Sequence, residues 1–202
     1  MNALSKILGV LFVSAGSAMA DPSLLADLDA DQLKSLKSGN LVVKSLKVPG
    51  GPWPRLQVYT LVEAPVSAVE QVFRDYKGAA SYIPNLVSAD VLSQPSPDIY
   101  VVKYTSSMPL VGKTSNTVRN VYSYDDQALV VKWNLVESGL ADESTGELRV
   151  EPMGTGAVLR YTNYVKPKSS LAVLAKSAAL SEVKQTVTAI KAEAERRAKK
   201  SG

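Results

Sequence analysis

An α+β domain in which a curved antiparallel β-sheet wraps a long C-terminal α-helix follows from three observations. Two strand patterns and a pair of short helices come first. Strand-like alternation then runs with few breaks from residue 86 to 165. After Pro167 the apolar period switches to 3.6 residues over about 30 positions. A sheet and a helix that each carry one apolar face bury those faces against each other, so the helix stripe is expected across the concave side of the sheet.

The chain begins with a lone positive charge at Lys6, an apolar stretch Ile7–Val13 and a small-residue ending Ala18-Met19-Ala20 before Asp21. This is the layout of a secretory leader, with cleavage expected after Ala20 and the product in the periplasm or outside the cell. N-terminal sequencing of the exported protein should therefore start at Asp21; Met1 retained there would refute the reading. The apolar stretch is well short of the ~20 residues that span a bilayer, and no later stretch approaches that length.

Removing residues 1–20 from 202 leaves 182, enough for one domain, 21–202, with its own core. The net charge of +4 falls to about +3 once Lys6 is gone, too mild for a nucleic-acid partner. The absence of Cys means that the fold stands without disulfides in an oxidising compartment.

Residues 24–38 carry Leu25, Leu28, Leu33 and Leu36 on recurring turns, with Asp29 as N-cap and Gly39 as stop, and predict a short helical lid or brace. Residues 41–48 and 55–63 are strands around the turn Pro49-Gly50-Gly51-Pro52. Pro65 suits the first turn of a helix whose stripe is Val66, Val69, Val72, Phe73 and Tyr76, ending near Gly78. A second short helix or turn, 79–83, leads past Pro84 into the apolar run Leu86–Leu92, and five more strands follow at about 98–107, 114–124, 128–138, 146–152 and 157–165. The last helix, 170–198, carries Leu180, Val183, Val187, Ile190 and Ala194 on one face and Lys, Glu and Arg on the other.

The segment Tyr76–Leu92 (YKGAASYIPNLVSADVL), with its Tyr-x-Pro break before a strand, and the segment Met108–Arg119 (MPLVGKTSNTVR) together resemble the START-like (SRPBCC) superfamily, the helix-grip or birch-pollen-allergen-like fold, in its polyketide cyclase/dehydrase and lipid-transport branch. The likeness covers roughly residues 41–198 and omits the brace. It implies a cavity between sheet and C-terminal helix that takes a lipid, sterol, polyketide or similar apolar molecule. It also places the loop Met108–Gly112, and with it Leu110, near the cavity mouth.

Seven of the nine tyrosines fall in the predicted strands, and a ring with one polar tip suits an apolar pocket that orients a head group; Tyr also favours strands for its own sake. Alternation puts Tyr100, Val102 and Tyr104 on one face of their strand, and Leu129, Val131, Trp133 and Leu135 on one face of theirs. Val118 and Tyr122 share a face with Asn116 and Asn120, while Arg119 lies on the other. The ligand-binding candidates are therefore Tyr100, Tyr104, Val118, Asn120, Tyr122, Trp133, Leu135, Tyr161 and Leu110. Arg119 joins them if it points inward, where it would need a partner to offset burial.

With no His and no Cys, Ser-His-Asp and Cys-His chemistry and the usual zinc and copper sites are excluded, and no cofactor or metal is expected. Ser107–Thr114 comes near a phosphate-binding loop but has Ser107 for its first Gly, contains a proline and opens a strand rather than a helix. Asp27, Asp29 and Asp31 begin like a calcium loop, yet Gln32 replaces the turn Gly and Ser38 the bidentate Glu. Asp125-Asp126 and Asp142-Glu143 fall in predicted hairpin turns, where solvated charge is the default. The leading function is carriage or sensing of an apolar small molecule without catalysis. A cyclase/dehydrase-type enzyme is the alternative, as is peripheral contact with a membrane or partner through the helix 170–198 and its tail Arg196-Arg197-Ala198-Lys199-Lys200.

Overall fold

A computed structural model describes residues 22–108, 112–168 and 176–201. The expected leader, Leu110 and the first positions of the expected last helix lie outside the described residues. Helix α1 (Ala30–Lys37) begins at Asp29, whose carboxylate accepts from the Gln32 N–H at 2.8 Å while Gln32 accepts from the Asp29 N–H. It is followed by Gly39 at φ +85°, a conformation that a side chain would strain. The expected helical region 24–38 is split, since Ser23–Asp27 is a 3₁₀ turn and Leu28 is extended.

Strands β1 (Val42–Leu46), β2 (Arg55–Val62), β3 (Leu86–Ser96), β4 (Ile99–Met108), β5 (Gly112–Asp125), β6 (Ala128–Ser138), β7 (Ala141–Met153) and β8 (Gly156–Pro167) form one antiparallel sheet in the order β1-β2-β8-β7-β6-β5-β4-β3. β7 starts earlier than the alternation suggested, so Asp142 and Glu143 are exposed strand residues rather than turn residues.

Helix α2 (Val66–Arg74) buries Ala68, Val69 and Val72. It stops at Asp75, one turn before the expected Gly78. The Asp75 carboxylate caps α3 (Tyr76–Ala79) by accepting from the Gly78 N–H at 2.9 Å, and a Cβ at Gly78 would sit 2.3 Å from that carboxylate. Gly78 thus serves the start of a helix, not the end of one.

Helix α4 (Lys176–Ser201) lays Val187, Ile190 and Ala194, all buried, against the core built on the concave face. Its C-terminal half is latched. Lys191 donates to the Leu61 carbonyl at 2.8 Å, Glu195 accepts from the Glu63 N–H at 2.8 Å, and Arg197 reaches Asp75 at 2.6 Å. Hydrogen bonds from Arg196 and Arg197 hold Glu193 down at about 2, and Arg197 lowers Asp75 in the same way. Much of the basic tail is therefore spent on internal ion pairs.

The N-terminal turn and α1 cover the convex side: Leu24, Leu28 and Leu36 pack on Val42, Tyr59 and Val158. Polar ties fix them there. Glu151 accepts from the Ser23 hydroxyl at 2.5 Å and the Leu24 N–H at 2.9 Å; Asp27 accepts from Arg160 at 2.8 Å and Tyr59 at 3.1 Å. The segment is a brace on the back of the sheet and not a lid over its concave face.

Candidate functional site

Strand alternation aims every second side chain of β4, β5, β6 and β8 at the inner face, and the sheet's curvature keeps them from filling the space beneath the first half of α4. The result is a cavity of about 550 Å³ between sheet, α2–α3 and α4, within the size range of small-molecule sites.

Five of the sequence candidates stand on its wall: Tyr104, Val118, Asn120, Trp133 and Tyr161. Trp133 and Tyr161 pack with ring centroids 4.9 Å apart, and Phe73 of α2 lies 6.4 Å from Trp133. The indole lies over Gly146, the cross-strand partner of Trp133, where a Cβ would sit 2.1 Å from the ring. Asn120 donates to the Tyr104 hydroxyl at 3.3 Å.

Tyr122 and Tyr100 share the inner face without lining the cavity; Tyr122 is in the core and Tyr100 packs against it. Tyr122 donates to the Phe73 carbonyl at 3.0 Å, which leaves Tyr76 as donor to Tyr122 at 2.7 Å. The Arg74 guanidinium stacks 4.0 Å from the Tyr122 ring centre, with Tyr100 5.7 Å from that ring. Leu135 packs against the core without reaching the cavity. Arg119 is a correction: it lies on the outer face of β5 between Val101 and Asn134, because Val118 and Asn120 on either side take the inner positions. Leu110 lies outside the described residues.

Most of the wall was not among the candidates, and four of the residues missed bear on its chemistry. Trp53, in the turn before β2, has a buried Nε1 with no partner among the described residues. Tyr82, between α3 and β3, donates to the Val72 carbonyl at 2.9 Å. Asn163 follows Tyr161 by two positions on β8, and alternation alone would have found it. Glu182 sits one turn along α4 from Ala179 and one from Thr186, both on the wall, so the helix period placed it there although its charge assigned it to the solvent face.

Burial pushes the phenols of Tyr104, Tyr122 and Tyr161 well above the usual tyrosine range and raises Tyr76 and Tyr82 to about 12. At neutral pH they act as uncharged hydrogen-bonding groups. Burial also raises the Glu182 carboxyl above its ordinary value. Among the described residues no cluster of acidic side chains is placed to hold a metal ion. The wall can thus hold an apolar body and meet a polar group with amides, phenols and one carboxyl.

No curated protein matches the chain. Among solved structures, a STAR-related lipid transfer protein from Xanthomonas axonopodis is 18% identical, with a TM-score of 0.69 over 76% of this chain and 93% of that one. The human StAR-related lipid transfer protein 5 is 12% identical, with a TM-score of 0.67 over 78% and 83%. The Zhui aromatase/cyclase from Streptomyces sp. R1128 is 18% identical, with a TM-score of 0.58 over 71% and 94%. At these identities the likeness establishes the helix-grip fold. A family model for polyketide cyclase/dehydrase and lipid transport matches residues 54–195, from the turn before β2 to the latched end of α4. The chain has the START-like helix-grip fold and belongs to the polyketide cyclase/dehydrase and lipid transport family.

Proposed function

We propose that this chain binds and carries an apolar small molecule, unchanged, in the cavity between the sheet and α4, outside the cytoplasm. The observation that carries the reading is the wall itself: rings and aliphatic side chains, with phenols held protonated and, among the described residues, Glu182 alone in reach of acid–base work. General acid–base catalysis draws on positioned groups that can exchange protons near neutral pH, and a single carboxyl gives such chemistry little to work with. The lipid-transfer proteins with the same fold support carriage; the aromatase/cyclase keeps ring-forming chemistry as the competing reading.

Protein purified from its native host should release about one equivalent of a lipid-like molecule into organic solvent, identified by mass spectrometry. The same molecule incubated with fresh protein should be recovered unchanged. Conversion into a new product would replace carriage with catalysis, and extracts containing no apolar compound from protein that also takes up none in vitro would refute carriage.

A further inference from the structure

Glu182 is the charged side chain on the cavity wall; among the described residues no Lys or Arg joins it there. It stands on α4 beside Ala179, Val183 and Thr186 and faces Tyr161, whose ring packs on Trp133. Among the described residues it forms no hydrogen bond or ion pair. Elsewhere on α4 acidic groups are paired: Glu193 with two arginines, Glu195 with Lys191 and the Glu63 N–H. A half-buried carboxyl with no partner among the described residues costs stability, and its desolvation raises its pKa above the ordinary carboxylate value. The helix does not need Glu there, since Gln or Leu has similar helix propensity.

We infer that Glu182 selects the polar end of the ligand: an apolar body ending in a hydrogen-bond donor, a hydroxyl or a protonated amine, is admitted in preference to one ending in a carboxylate. The inference rests on the carrier reading and deepens it. A hydroxyl or ammonium gives Glu182 the donor it lacks, and hydrogen bonds to a carboxylate are the stronger kind. A ligand carboxylate placed beside it creates two like charges in one site, and one must take up a proton to stay. With no cation on the wall among the described residues to compensate, the preference runs one way.

Calorimetric titration of the delipidated protein with decanol, decylamine and decanoate at neutral pH separates head group from tail, because the three share one chain. Decanol and decylamine should each bind at least about tenfold tighter than decanoate, and the tighter of the two identifies the head group. In Glu182→Gln, which keeps shape and polarity, the ratio of decylamine to decanoate affinity should fall by about tenfold, with a melting temperature equal to or above that of the parent. Decanoate binding as tightly as decanol, or a ratio untouched by Glu182→Gln, overturns the selector and leaves the carrier standing. Failure of all three probes to bind overturns the carrier reading and the selector with it.

Discussion

Replacing Val187 by Asp should lower the melting temperature by roughly 10 °C or more, because an unpaired carboxylate buried in a core costs about 4 kcal/mol and a domain of this size loses a few degrees per kcal/mol. Val187 is fully buried, midway along α4 in the cluster that joins helix and sheet. Of the nearest cationic side chains on its own helix, Lys184 is exposed to solvent and Lys191 is already tied to the Leu61 carbonyl and Glu195. Circular dichroism on heating measures the shift. A change of under about 2 °C, the size expected of a surface substitution, would mean that the helix is not packed on the sheet as described.

The second large effect is expected at Gly146. A methyl group there would lie 2.1 Å from Cζ2 and 2.3 Å from Cε2 of Trp133, and 2.4 Å from the Thr162 carbonyl oxygen. The ring can swing aside; the carbonyl belongs to β8 and can move only with the strand. Gly146→Ala should therefore cost roughly 2–3 kcal/mol, the upper range for overpacking, and reshape the cavity by driving the indole toward Tyr161. Uptake of a neutral dye such as Nile red should fall along with the melting temperature. In the double variant Gly146→Ala, Trp133→Leu the part owed to the ring should return while the part owed to the Thr162 carbonyl stays. Full recovery of stability would place the strain on the ring alone.

Most of the fold was legible in the sequence because its signals are periodic. Alternation marked β4, β5, β6 and β8 within a residue or two, and the stripe Val183–Val187–Ile190–Ala194 oriented α4. Two errors and one open question have separate causes. Gly78 reads as a helix stop, but it is there to admit the Asp75 cap. The polar start of β7, Asp142–Thr145, reads as turn because its stability comes from pairing with β8 and not from its own side chains. Which side of the sheet the brace takes is left open by the sequence, and it depends on the bonds of Asp27 to Arg160 and of Leu24 to Glu151, 133 and 127 positions apart, which leave no periodic trace. At the site, face assignment by alternation reached Tyr104, Val118, Asn120, Trp133 and Tyr161 on the wall and placed Arg119 opposite Asn120. The candidates also included Tyr100, Tyr122 and Leu135, which do not line the cavity, and left out Asn163. Trp53 escaped because it sits in a turn, and Glu182 because a charge on an amphipathic helix is ordinarily read as solvated.

The brace also divides the sheet into two kinds of wall. Behind β1, β2 and β8 lie the packed leucines and the Asp27–Arg160–Glu147 ties, so bending these strands outward would break contacts on the back as well as hydrogen bonds in the plane. Among the described residues no second layer packs behind β3, whose Val87, Val91 and Leu92 are exposed, and β3 ends the sheet. The two halves differ in compliance: one is a backed plate, the other a single-ply panel. A guest bulkier than the cavity at rest would find room by flexing the β3–β4 side, where curvature can change with no loss from a second layer, while the braced side keeps Tyr161 and Trp133 in register.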